Sequence, residues 1–143
     1  MKIRTDYVTN SSSSSFVVAY RATPEFDEET LGKYPFLKNY GNIMEKALLV
    51  DGGNETTEGE ILRTKEEFDK WFVGRYGWRD ADTVEKIIAD DEYYKDEYEY
   101  LAKYISDGFN ILTKSVDYDD YYCSNLIHEL ANNNDDFIIL EDD

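Results

Sequence analysis

The chain has 143 residues, 41% of them hydrophobic and 15% aromatic, which is enough apolar material for a packed core and argues against a disordered acidic tail. Its 15 basic and 32 acidic side chains give a net charge of −17. That charge repels a nucleic-acid backbone and an anionic membrane surface, so we expect no direct binding to nucleic acid or membrane.

Size and composition predict one domain over residues 1–143, with residues 1–15 flexible or loop-like. The opening residues lack the apolar run of a secretory signal peptide. Nowhere does an apolar stretch approach the ~20 residues that span a bilayer. We therefore expect a cytoplasmic protein, with an oligomeric state that the sequence leaves open.

The first predicted element is a strand over residues 16–20, which are β-branched and aromatic and follow the serine run 11–15. Residues 24–46 space their apolar side chains as helices do, but two glycines and a proline interrupt them, which favours two short helices. Residues 47–50 and 59–63 flank a glycine-rich turn and predict a hairpin with a long loop.

Thr64 followed three residues later by Glu67 is a capping box, and it predicts a helix over residues 65–76. A similar pattern at Asp82 predicts the start of the longest helix, whose apolar stripe continues to Gly108. Both helices are expected to dock through their apolar faces.

The remaining pattern predicts a strand over residues 109–116, a short helix over 123–130 and a final strand over 137–140. The last strand, helix and strand could supply one parallel strand pair, and the hairpin an antiparallel one. We therefore predict an α+β fold with a mixed, mainly antiparallel sheet of about four to five strands covered by helices.

The residue types of familiar catalytic and metal sites are sparse. Cys123 is the only cysteine, which excludes an internal disulfide and zinc sites built on two thiolates. On a helix, Cys123 and the only histidine, His128, point roughly 140° apart, too far for a nucleophile and its base. Asp117, Asp119 and Asp120 begin like a calcium loop that then lacks the required glycine and glutamate. We expect no catalytic residues, metal or cofactor, and no enzymatic activity.

The acidic charge is concentrated late in the chain: residues 1–78 carry 10 basic and 13 acidic side chains, a net −3, and residues 79–143 carry 5 and 19, a net −14. Within this acidic part, a segment interleaves tyrosines with carboxylates, as partner-binding surfaces do. Its candidate partner-binding residues are Asp90, Glu92, Tyr93, Asp96, Glu97, Glu99 and Tyr100. The alternative is an acidic helix that only keeps the protein soluble.

A second candidate site groups basic and aromatic residues. Trp71, Arg75, Trp78 and Arg79 are close in sequence and suit an anionic small molecule. The alternative is a set of solvated charges around an aromatic core helix.

Residues 2–17 read KIRTDYVTNSSSSSFV. This TNSSSSSF-type segment resembles one that recurs near the N-terminus of small uncharacterised proteins of Gram-positive bacteria and their phages. The resemblance implies a bacterial or mobile-element origin and no particular activity. Separately from this resemblance, the acidic charge of residues 79–143, the segment of tyrosines and carboxylates and the lack of catalytic patterns favour a protein that occludes a basic partner, such as a phage-type inhibitor of a defence enzyme, a nucleic-acid mimic or a toxin-neutralising factor. The alternative is a small accessory domain that binds an anionic small molecule.

Overall fold

A computed structural model describes residues 13–21, 23, 25–41, 43–50, 59–117 and 121–142. In chain order, the elements are β1 (Ser13–Tyr20), α1 (Glu28–Lys33), a 3-10 helix (Pro35–Tyr40), α2 (Met44–Val50), β2 (Glu60–Leu62), α3 (Lys65–Tyr76), α4 (Val84–Asp90), α5 (Glu92–Ser106), β3 (Asn110–Asp117), α6 (Tyr121–Asn133) and β4 (Phe137–Asp142). Over these residues the fold is α+β with a four-stranded antiparallel sheet, which confirms the predicted class. None of the described helices is long and apolar enough to cross a membrane.

The strand order in the sheet is β2-β3-β1-β4. β1 pairs with β4 in antiparallel fashion, with Tyr20 opposite Phe137 and Phe16 opposite Asp142. The parallel pair expected from the last strand, helix and strand is not formed, because β1 lies between β3 and β4. The unbroken apolar run that closes β1 is fully buried, as is typical of a central strand.

The described residues form two compact units, one comprising the chain up to Glu60 and from Leu112 onward, the other Ile61–Ile111. In the first unit, the core includes the buried end of β1, Leu48 of α2 and Leu126 of α6. Tyr20 of β1 donates its hydroxyl to Glu45 of α2, and the Phe16 ring packs edge-on against His128 of α6. The second unit consists mainly of α3, α4 and α5. Its aromatic cluster is built around Phe68 and Phe72, which are both fully buried.

Helix α3 begins and ends where its sequence pattern predicts. The Glu67 backbone N–H donates to Thr64 Oγ1 at 3.1 Å, and the Thr64 N–H donates to Glu67 Oε1 at 3.1 Å, so both halves of the capping box are formed. The Arg63 backbone N–H also donates to Glu67 Oε1, at 2.9 Å, and the bonds from Arg63 and Thr64 lower the pKa of the Glu67 carboxyl. The local signal was sufficient because a capping box satisfies orphan N–H groups without help from distant residues.

The first half of the predicted hairpin is wrong. Residues 47–50 belong to α2 rather than to a strand. Met44, Ala47 and Leu48 are all buried, and this three-to-four spacing places them on one face of a helix. The second half is confirmed as β2, and the glycine-rich turn lies outside the described residues.

The long helix expected from Asp82 to Gly108 is two helices. Asp91 adopts an extended conformation (φ −151°, ψ 126°) and caps α5 by accepting a hydrogen bond from the Tyr93 N–H at 2.8 Å. A short acidic side chain bonded to nearby backbone competes with the helix and breaks it there. The N-cap of α4 is Thr83 rather than Asp82.

Candidate functional site

A cavity of about 460 Å³ lies between α1 and α6 in the first unit, and we call it the α1–α6 cleft. Its volume falls within the range of about 300–1,000 Å³ that is usual for ligand sites. The charged side chains that line it are Glu25, Asp27, Glu29, Glu129 and Lys33. Four carboxylates against one ammonium group give the lining a net charge of −3.

The acidic wall of the cleft follows from the way α1 begins. Asp27 is the N-cap of this helix, and its carboxylate accepts a hydrogen bond from the Thr30 N–H at 2.8 Å. That bond holds the pKa of Asp27 below its usual value, so the carboxylate is charged at neutral pH. Glu29 lies in the first turn, where acidic residues are favoured by the helix dipole.

The opposite wall is formed by α6, and its carboxylate Glu129 is already engaged. Tyr34 donates its hydroxyl to Glu129 Oε2 at 3.0 Å, and Lys33 Nζ lies 3.3 Å from Oε1. Burial and the bond to Glu129 raise the pKa of Tyr34 to about 12, so its hydroxyl stays protonated at neutral pH. Among the described residues that line the cleft, Lys33 is the only cation, and it is directed at Glu129.

Two carboxylates of the lining have no such partner. Glu25 and Glu29 are exposed and form no ion pair within the described residues. Phe26, Leu126 and Leu130 also line the cleft; Leu126 is fully buried, so the small apolar surface comes from the exposed edges of Phe26 and Leu130. A lysine or arginine side chain suits such a site, because its hydrocarbon stem packs on apolar surface while its charged end binds carboxylates.

Over the part of the chain that the structure describes, no group of three or more His, Cys, Asp or Glu side chains is arranged to hold a metal ion. Cys123 is buried on α6. His128 lies on the same helix, with Nε2 3.3 Å from Asp142 Oδ2 and its ring edge-on to Phe16. Asp119 and Asp120 of the discarded calcium loop fall outside the described residues.

The structure divides the seven partner-binding residues expected from the sequence. Asp90 ends α4, whereas the other six lie on α5. Glu92, Asp96 and Glu99 are exposed on the outer face of α5. Lys95 and Lys103 share that face, so these five side chains carry a net charge of only −1.

The tyrosines of the same segment lie on a flank of α5. Tyr93 and Glu97 are half-buried, and Tyr93 packs against Tyr94 with ring centroids 5.3 Å apart. Tyr100 is 50% exposed and packs edge-on against Tyr104. Burial and the neighbouring Tyr104 raise the pKa of Tyr100. The flank presents one accessible tyrosine rather than a row of them.

The four residues of the alternative anion site lie on and just after α3. The Arg75 guanidinium lies over the Trp71 ring at 5.2 Å and over the Tyr76 ring at 5.4 Å. Trp78 is 43% exposed in the turn that follows, and Arg79 is exposed next to it. Arg75 therefore packs with its own helix, and none of the four lines the α1–α6 cleft.

Sequence reasoning missed the α1–α6 cleft because its two walls are about a hundred residues apart in the chain. The available signal was the start of α1, where an N-cap aspartate is followed at once by two glutamates. Nothing in the sequence pairs that helix with Glu129. Comparison of the chain with models of protein families, with curated proteins and with solved structures found no match.

Proposed function

We propose that this chain is a non-enzymatic binding protein that occludes a basic protein partner by taking one of the partner's lysine or arginine side chains into the α1–α6 cleft. The observation that supports this most directly is the charge of the cleft: four carboxylates line it, and its single ammonium group is bound to one of them. A cation entering the cleft meets Glu25 and Glu29, which form no ion pair within the described residues; Lys33, four residues after Glu29, pairs with Glu129 instead.

Long-range electrostatics support the same proposal. The net charge of −17 attracts a positive partner and raises the association rate, more strongly at low salt. A partner held in this way loses access to polyanions that bind the same basic surface. This is the action expected of a nucleic-acid mimic, an anti-defence inhibitor or a toxin-neutralising factor, because each of them would cover a basic surface with carboxylates.

The acidic face of α5 is the competing surface for the same partner. Its carboxylates alternate with Lys95 and Lys103, which neutralise most of its charge. Glu92 lies three residues from Lys95, and Glu99 lies four residues from both lysines, so a partner cation would have to compete there with their ammonium groups. The proposal therefore places the main contact in the cleft.

The test compares two double variants that remove the same charge. E25Q/E29Q neutralises the cleft, and D96N/E99Q neutralises the outer face of α5. All four side chains are exposed, so neither variant is expected to disturb the core. Binding of a rhodamine-labelled oligo-arginine peptide is followed by fluorescence anisotropy at low and moderate salt.

We expect E25Q/E29Q to bind the peptide roughly three- to tenfold more weakly, as two lost charge pairs imply, and D96N/E99Q to bind almost as the unmodified protein does. Salt should reduce this difference because it screens exposed pairs. Equal weakening in both variants would mean that only the overall charge matters, and greater weakening in D96N/E99Q would place the site on α5. Either result contradicts the proposal.

A further inference from the structure

Strand β4 forms one edge of the sheet. Of the strands that the structure describes, only β1 pairs with it. The side of β4 that faces away from β1 therefore presents backbone N–H and C=O groups to whatever lies beyond the sheet. Such an edge is a template for one more strand.

The register of β1 and β4 shows which backbone groups point outward. The Arg21 N–H donates to the Asp136 carbonyl at 2.9 Å, so these two residues form a hydrogen-bonded pair. Antiparallel ladders alternate such pairs with non-bonded ones. Ile138, two residues further and opposite Ala19, therefore directs its backbone groups to β1, and Ile139 directs its N–H and C=O outward.

A bulge limits the length of this edge. Val17 lies opposite Glu141 and Val18 opposite Ile139, which leaves Leu140 as the extra residue of β4. Bulges at sheet edges twist the strand away and interrupt continued pairing. The edge therefore suits a short added segment rather than extended sheet-to-sheet stacking.

The charges at the two ends of β4 discriminate between possible occupants. Asp135 and Asp136 precede the strand, and Glu141 and Asp142 close it. Arg21 lies 2.7 Å from Asp136, and His128 lies 3.3 Å from Asp142, so these two pairs set one formal positive charge against the four carboxylates. A second copy pairing antiparallel would bring acidic ends together, which is unfavourable.

We propose that β4 is the docking strand for a short extended segment of the basic partner, which adds to the sheet beside Ile139 with its own basic residues next to the acidic ends of β4. This inference rests on the proposed function and specifies how the partner binds. The two surfaces are adjacent in the chain: Asn134 lines the cleft, and its carbonyl accepts a hydrogen bond from the Phe137 N–H at 3.3 Å. One segment can therefore reach both.

The test is hydrogen exchange of backbone amides, measured by NMR on the full chain with and without a peptide. The probe has two lysines at each end and alternating valine and threonine between them. The control peptide has the same charge but carries proline in place of threonine, which removes strand hydrogen bonds. In the free protein, the Ile138 amide serves as an internal reference because it already faces β1.

We expect the valine–threonine peptide to slow exchange of the Ile139 amide about tenfold, the effect of one new hydrogen bond, while exchange of Ile138 changes little. The proline peptide should bind more weakly and leave Ile139 unprotected. If both peptides bind equally well and Ile139 stays unprotected, the docking strand is refuted and the cleft proposal stands. If neither peptide binds and acetyl-arginine amide, which has no strand to offer, does not bind either, the docking strand and the proposed function are both refuted.

Discussion

Gly74 and Gly77 lie three residues apart, and replacing each by alanine is expected to change stability in opposite directions. Gly74 is an exposed residue inside α3, and a Cβ placed there would meet no atom within 4 Å. Alanine is a better helix former than glycine because it restricts the unfolded chain more. G74A should therefore stabilise the protein by about 0.5–1 kcal/mol.

Gly77 ends the same helix in a crowded position. A Cβ there would lie 2.5 Å from the carbonyl oxygen of Val73 and 3.0 Å from that of Ala81. Both are backbone atoms, and the Val73 oxygen also accepts the Gly77 N–H at 2.8 Å. The backbone φ of −77° is ordinary for any residue, so the cost comes from crowding alone. Forcing these atoms apart should cost about 1–3 kcal/mol.

Urea unfolding of the full chain measures both effects. Tryptophan fluorescence is a suitable signal because Trp71 and Trp78 lie on either side of the two glycines. With unchanged m values, the midpoints should move apart, and the two variants should differ by about 1.5–4 kcal/mol. The reasoning is refuted if G77A unfolds at the midpoint of the unmodified protein, or if G74A is the less stable of the two.

Three further changes test individual contacts. Y98F removes a hydroxyl that donates to Asp69 at 2.6 Å, and should lower stability in urea by about 1 kcal/mol. T64A removes the N-cap of α3 and should also cost about 1 kcal/mol by the same assay. The fold raises the pKa of Tyr34 to about 12 from its ordinary 10.0, so the stability gained is present below pH 10 and lost as pH rises toward 12. Y34F should therefore lose less stability than the unmodified protein between pH 9 and about 12, as measured by the urea midpoint at each pH.

Each of these has its own control. Y94F removes a hydroxyl for which no hydrogen bond is described and should change stability little; an equal loss in Y94F and Y98F would contradict the role of the bond to Asp69. T64S keeps the capping oxygen and should recover most of the loss seen in T64A. For Tyr34, parallel pH profiles of Y34F and the unmodified protein would show that burial and the bond to Glu129 do not raise the pKa of the hydroxyl.

The parts of the fold that could be predicted are those fixed by local chemistry. Helix α3 follows from Thr64 and Glu67, whose side chains bond only to nearby backbone. The buried end of β1 follows from five consecutive β-branched, aromatic or small residues, because such a run packs well within a sheet. In both cases the nearest neighbours in sequence decide the structure.

The parts that could not be predicted depend on competition or on distant residues. Asp91 sits in a segment whose apolar spacing looks continuous, and its side chain breaks the helix through one bond to the Tyr93 N–H. Residues 47–50 read equally well as strand or helix, since short apolar runs are ambiguous until their burial is known. β1 lies between β3 and β4, and this strand order depends on pairing between residues far apart in the chain, which no local sequence pattern predicts.

The candidate site illustrates the same limit. The sequence identified acidic residues on α5, and the helical spacing of Lys95 and Lys103 already places them on the same face, but the sequence interpretation did not count these two lysines. The cleft forms only where α1 and α6 meet in the fold. The role of Glu129 in it depends on its contacts with Lys33 and Tyr34, which are far from it in the chain. Composition predicted a basic partner, whereas the position of its contact required the fold.

The measurement that tests the central claim most directly is an NMR titration of the full chain with acetyl-arginine amide. This probe carries the proposed cationic group and nothing else that the cleft could select. The account predicts shifts that saturate at Thr30 and at the side-chain amides of Asn133 and Asn134, all of which line the cleft. Shifts confined to the neighbours of Asp96 and Glu99 on α5, or no saturable shifts at all, would contradict it.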